Sequence, residues 1–234
     1  MHRHKKRLQG VSVPRSGHHL LEKLLVSYFG PQIYCDYYDC CREIPCRYKK
    51  PFSKHHDLLL ELANESDTQY LIQFRRDVQA QFESYFRFFE VQYADGDRQF
   101  EVQNHFPYFQ NYHGTYVEKY QKSGDPVDRL NVYHQFVLDH RQWYREFVEK
   151  WMSVETTNVH FLAYEDLVNN PKLQLGRVVR LMFGRPPIQF WKIPKIINRQ
   201  NISFKNILKD SDLYKPGFCE HFGLQDIQNL LLQR

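Results

Sequence analysis

The chain reads as an α/β protein of three layers, α/β/α, with a mostly parallel central sheet. Two observations predict this. Short apolar or β-branched runs alternate with amphipathic helical patterns along the chain. The first run passes through a tight loop straight into a helix, the opening half of a βαβ unit.

Residues 8–13, LQGVSV, predict a short buried strand that Pro14 ends. Residues 16–29 predict a helix, because Leu20, Leu21, Leu24, Leu25 and Phe29 recur at three- and four-residue spacing. Ser16 is the expected N-cap, and Gly30-Pro31 closes the helix. Residues 31–52 read as irregular, and a short element is expected near 52–60. QYLIQFR at 69–75 predicts a second strand, followed by a helix over about 77–90 with Phe82, Tyr85, Phe86 and Phe89 on one face. Residues 91–128 are polar and aromatic with turn signals at Asp95-Gly96 and Gly124-Asp125-Pro126. A long amphipathic helix is expected over 131–152, a strand over 158–163, and a helix from Pro171 to a stop at Gly184. A short helix near 224–233 ends the chain.

At 234 residues this is one domain with an elaborated loop. The expected division is a disordered basic head at 1–7 and a single domain at 8–234, with 91–130 as a candidate acceptor-side insertion. The net charge of +5 comes from 32 Lys and Arg against 27 Asp and Glu, which raises nucleic-acid binding. Arg3, Lys5, Lys6 and Arg7 account for most of it, and without those four the balance is 28 to 27. A broad basic face is not indicated, so nucleic acid is not an expected partner. No apolar run approaches the ~18–20 residues that span a bilayer, and no signal-type apolar core follows the basic start. A cytoplasmic chain without a membrane span is therefore expected. Cys35, Cys40, Cys41 and Cys46 cluster, with Cys219 far away. Their spacing lacks paired C-x2-C knuckles, and thiols, a local disulfide and a metal site all stay open.

The loop VPRSGHHLL at 13–21 carries the chemistry. Helix N-termini present unpaired N–H groups and partial positive charge, so an anion belongs there. Gly17 allows close approach, Arg15 adds a forked cation, and Ser16 adds a hydroxyl. His18 and His19 in the first turn oppose the dipole unless a phosphate or sulfate sits against them. The Walker pattern G-x-x-x-x-G-K-[ST] is absent, which weighs against an ordinary ATP or GTP enzyme.

The pattern resembles the P-loop-like sulfotransferases, which take a sulfuryl group from 3′-phosphoadenosine 5′-phosphosulfate (PAPS) and release 3′-phosphoadenosine 5′-phosphate (PAP). Their first loop reads P-[KR]-[ST]-G-T-[TS]-[WL]-L; this chain matches at Pro14, Arg15, Ser16, Gly17 and Leu21, with His18 and His19 replacing two hydroxyl residues. The resemblance implies a P-loop NTPase-like sulfotransferase fold. It also implies a 3′-phosphate site made by Arg76 and, eight residues on, Ser84, in RRDVQAQFESY. That spacing selects Arg76 over Arg75. In KHHD at 54–57 the register makes His56 the catalytic base, ahead of His55, with Asp57 to hold it or a neighbour. YEDL at 164–167 marks the fold, and Lys215 and Gly217 are the remnant of a C-terminal cofactor loop.

The implied reaction is in-line sulfuryl transfer to a hydroxyl of a carbohydrate, lipid or phenol. His56 serves as base, Arg15 stabilises charge, and Ser16, Gly17, His18 and His19 help to bind the cofactor; no metal is implied. His18 or His19, if protonated, would supply a proton to the leaving group. The alternatives are a P-loop-type kinase or other nucleotide phosphotransferase, and a non-catalytic nucleotide-binding or interaction protein.

Overall fold

The computed structural model describes residues 7–33, 50–57, 60, 68–94, 126–186, 188–193 and 216–234, with backbone alone at 87–94, 126–129 and 190. Its elements are β1 (Leu8–Ser12), α1 (His18–Phe29), β2 (Phe52–His55), β3 (Gln69–Phe74), α2 (Val78–Ala94) and α3 (Pro126–Met152), then β4 (Val159–Ala163), α4 (Tyr164–Asn169), α5 (Pro171–Phe183), α6 (Phe218–His221) and α7 (Gln225–Leu232). The four strands are all parallel, in the order β2-β1-β3-β4.

Both faces of the sheet are covered, so its strands are apolar on both sides. β1 and β3 are buried along their whole length. Side chains alternate across each strand, and this divides the core in two. Leu8, Leu71 and Leu162 point to a layer made by α1, α4 and α5, where Leu21, Leu25, Leu167, Leu175 and Val178 meet them. Val11, Tyr70, Ile72 and Phe74 point to the other layer, made by α2, α3, α6 and α7. That second layer absorbs much of the aromatic content of the described residues. Phe82 packs on Tyr144 with ring centroids 5.1 Å apart, Phe86 on Phe136 at 5.3 Å, and Phe218 on Phe222 at 4.8 Å.

Helix stops follow local chemistry. The N–H of Gly30, at φ 88°, reaches the Val26 carbonyl at 2.7 Å, and Gly184 at φ 66° reaches that of Arg180 at 2.8 Å. Helix starts differ more from expectation. The N-cap of α1 is Gly17 and not Ser16, whose hydroxyl bonds elsewhere. α2 runs on to Ala94, and α3 starts at Pro126, where a turn was expected. Proline at a first helical position loses no intrahelical bond, so that triplet starts a helix as readily as it makes a turn. Both ends of the expected insertion 91–130 are therefore helical, and 95–125 lie outside the described residues. Also outside them are Arg3, Lys5, Lys6, Lys215 and the four clustered cysteines. Cys219 is a free, partly buried thiol. No helix among the described residues is long and apolar enough to cross a membrane.

This topology makes a switch point between β1 and β3. The chain leaves β1 for the α1 layer and leaves β3 for the α2 layer, although β1 and β3 are neighbours. Loops that part in opposite directions from adjacent strands open a gap at the strands' carboxyl ends, the switch point where such sheets bind ligands.

Candidate functional site

The loop after β1 turns through two left-handed residues, Arg15 at φ 71° and Gly17 at φ 87°. Ser16 N–H closes the turn on the Val13 carbonyl at 3.2 Å. Glycine is required at 17 on two counts: its φ, and the Tyr164 ring, whose Cδ2 would lie 2.5 Å from an added Cβ. The first turn of α1 has neither an acidic residue nor a side-chain cap, and such a helix start carries partial positive charge.

A residue with no signal in the sequence, Gln81 of α2, holds this loop. Ser16 Oγ donates to Gln81 Oε1 at 2.9 Å, and Gln81 Nε2 donates back to the Pro14 carbonyl. One buried amide thus grips the loop on both sides of Arg15. Ser16 in this state commits its hydroxyl proton to Gln81.

The two loop histidines part company. His18 is 3% exposed and stacks on Phe52, with ring centroids 5.5 Å apart and planes 12° apart. Gly10 makes room for it: a Cβ there would lie 2.9 Å from His18 Cε1. Burial first, then the charge of Lys54, pushes the His18 pKa well below its ordinary value, while the nearby Gln73 side chain opposes this. In this structure His18 is a neutral ring on the sheet, unsuited to deliver a proton as imidazolium. His19 is exposed, with Nδ1 3.2 Å from Glu22 Oε2 and Nε2 3.4 Å from Lys54 Nζ.

At the end of β2, His56 Nδ1 lies 2.7 Å from the Ser12 carbonyl oxygen. A carbonyl only accepts, so Nδ1 carries the proton and Nε2 is the basic nitrogen. Burial, and then the Lys54 charge, hold this half-buried imidazole neutral, well below the usual histidine pKa. His55 has the opposite tautomer: its Nδ1 accepts the Asp57 N–H at 2.8 Å, and burial lowers its pKa. The Asp57 carboxylate turns away, accepting from Lys150 Nζ at 2.6 Å and Trp151 Nε1 at 2.9 Å. It anchors the end of β2 to α3, and the backbone of β1 orients His56.

At the end of β3 the two arginines diverge, as neighbours along an extended chain do. Arg75 donates from Nε to the Arg15 carbonyl at 3.1 Å, lies 3.5 Å from Ser84 Oγ through Nη2, and stacks 4.2 Å over the Tyr164 ring. Arg76 forms a forked pair with Asp166 at 2.6 and 2.9 Å, and its N–H reaches Glu165 at 3.2 Å. Its carbonyl takes a hydrogen bond from Gln228, which also accepts the Val78 N–H at 3.0 Å. Ser84 therefore faces Arg75, nine positions back, and not Arg76. The Glu165 and Asp166 of YEDL are what hold Arg76.

Gly217 is the left-handed N-cap of α6, at φ 76° and exposed. A cavity of about 500 Å³, lined by Tyr28, Phe29, Pro51 and Phe183 among others, lies at the opposite end of the sheet from the loop.

The strand ends thus gather Arg15, Ser16 and Gly17 of the loop with His56, Arg75, Ser84 and Tyr164. Arg15 is partly buried, and desolvation and then the Arg75 charge lower its pKa to about 10. Two guanidinium groups around a loop of left-handed backbone suit a dianion. No family model, no curated protein and no solved structure matches this chain.

Proposed function

We propose that this chain is a PAPS-dependent sulfotransferase with the P-loop-like sulfotransferase form of the α/β/α fold, acting on a hydroxyl acceptor. One observation carries the reading. The base expected from the sequence, His56, hangs by Nδ1 on the carbonyl of Ser12, the last residue of the strand that feeds the anion loop. Base and anion site therefore share one strand end, as group transfer between two bound substrates requires.

In this reading His56 Nε2 takes the acceptor hydroxyl proton as that oxygen attacks sulfur. The bond from sulfur to the bridging phosphate oxygen breaks, and its electron pair stays on that oxygen. Arg15 and the N–H groups at the start of α1 stabilise the charge that develops there. Arg15 stays protonated at neutral pH and acts by charge alone. A bound dianion favours the imidazolium and so raises the pKa of His56 toward the working range. Lys54, beside His19 and acting electrostatically on His56, adds to the positive field.

Calorimetric titration of the chain with PAP and with ATP tests the nucleotide, and a screen with labelled PAPS over sugar, lipid and phenol hydroxyls tests the transfer. PAP binding and label transfer are expected. Tight ATP binding without PAP binding removes the reading.

A further inference from the structure

We propose that the surface at the end of α5 docks on an anionic lipid bilayer, with Trp191 and Ile188 set into the headgroup layer and Arg180, Arg185 and Lys192 against the lipid phosphates. This surface is independent of the proposed reaction.

The near-neutral charge total hides a local excess. Residues 167–193 hold five Lys and Arg and no Asp or Glu. Arg180, Arg185 and Lys192 are exposed, and none of the three makes an ion pair among the described residues. The same stretch carries the two most exposed large apolar side chains among the described residues, Trp191 at 75% and Ile188 at 69%. Large apolar groups held in water and rimmed by cations mark an interaction surface.

A built turn holds them there. The Gln189 N–H donates to Tyr28 Oη at 2.8 Å, the Lys192 N–H donates to the Gln189 carbonyl at 3.1 Å, and Ile193 is buried in the layer of α1 and α5. Anchored on both sides, the turn keeps Trp191 outward. The cavity of about 500 Å³ adjoins it, and its lining adds Tyr28, Phe29 and Phe183 to Arg185, Ile188 and Lys192. Cations thus border an apolar recess.

A bilayer surface matches both halves of this chemistry. Anionic headgroups complement the cations, each worth about fivefold in partitioning near such a surface. Indole and branched alkyl groups settle at the boundary between headgroups and acyl chains. A nucleic acid meets the cations but leaves Ile188 and the recess without an apolar partner. The recess lies at the opposite end of the sheet from the anion loop, so a docked chain holds that loop toward water.

The test is sedimentation of the whole chain with vesicles of phosphatidylcholine, alone or with about one-third phosphatidylserine. Binding to the mixed vesicles is expected, and it is expected to fall as salt rises. Trp143 and Trp151 are buried, so a change in tryptophan emission reports Trp191, and a blue shift is expected on binding. Arg185→Gln with Lys192→Gln is expected to lower partitioning about tenfold to thirtyfold. Trp191→Ser with Ile188→Ser is expected to lower it about tenfold and to abolish the shift. Leu232→Ser, at an exposed position on α7, is expected to change neither. Unchanged melting temperatures separate loss of docking from loss of fold. Binding to neither vesicle, equal binding to both, binding without a blue shift, or a preference that survives both paired variants overturns the proposal. A nucleic-acid duplex that displaces the wild-type chain from the mixed vesicles overturns it in favour of a nucleic-acid partner.

Discussion

His56 donates its Nδ1–H to the main-chain carbonyl of Ser12 at 2.7 Å, so the backbone of one strand sets the tautomer of a side chain on the next. Burial and Lys54 hold the free-enzyme pKa of His56 well below the usual histidine value of 6.5. The proposed base acts when deprotonated, so kcat/KM is expected to rise with pH through an acidic limb well below 6.5 and to be flat across neutrality. Lys54→Met removes a charge that lowers this pKa, so the limb is expected to move to higher pH. His56→Ala is expected to lower kcat by about 10²–10⁴-fold and to change PAP affinity little. Steady-state pH profiles with PAPS and an accepting hydroxyl check all three, and a limb unmoved by Lys54→Met sinks the electrostatic account.

Gln81 is expected to set the loop by holding Ser16 and Pro14 together. Gln81→Leu strands a buried hydroxyl and a buried carbonyl, which costs about 1–3 kcal/mol of stability. Gln81→Glu keeps an acceptor for Ser16 and loses the donor to Pro14, so its loss is expected to exceed that of a surface Gln→Glu change. PAP affinity is expected to fall about tenfold in both, because Arg15 loses its fixed backbone. Denaturant unfolding and calorimetry measure the two effects.

Asp57 follows the proposed base in sequence and serves the fold. Asp57→Asn weakens the link to Lys150 while keeping an acceptor for Trp151, and it is expected to cost about 2–4 kcal/mol. The acidic limb assigned to His56 is expected to stay in place, since the carboxylate bonds α3. A limb displaced by a full unit would instead make Asp57 the group that orients His56.

Buried histidines predict an acid weakness. His18 and His56 have folded pKa values well below 6.5, and His140, packed against Phe136, is lowered to about 4 by burial. In the unfolded chain each binds a proton near 6.5, so the unfolded state holds more protons in this window. Their contribution to stability is complete above about pH 6.5 and falls as pH drops toward the folded values. His140 alone contributes about 3 kcal/mol over that range. Unfolding curves at pH 7.5, 6 and 5 are expected to show falling midpoints, and His140→Phe is expected to flatten the decline.

Much of this protein was legible because it is local. β1, α1 and the stops at Gly30 and Gly184 follow from apolar spacing and from glycine at left-handed positions, which act over a few residues. The PRSG loop was legible for the same reason, since a strand, a tight turn and an uncapped helix start lie next to one another in the chain. Sequence therefore determined the α/β/α class, the carboxyl ends of the strands as the place to look, and the identity of the loop.

Tertiary structure alone decided which side chains turn toward that place. Ser16 meets Gln81 across 65 positions and Asp57 meets Trp151 across 94, separations over which no periodicity carries information. Arg75 and Arg76 have the same chemistry, and only Tyr164 and Asp166, brought in by α4, give one a ring to stack on and the other a forked carboxylate partner. His18 lies in the anion loop by sequence, and the gap left by Gly10 on β1 lets its ring stack on Phe52 in the core. A short motif specifies the backbone that carries it, but the direction of each side chain is set by whichever distant surface can bury it or satisfy its hydrogen bonds.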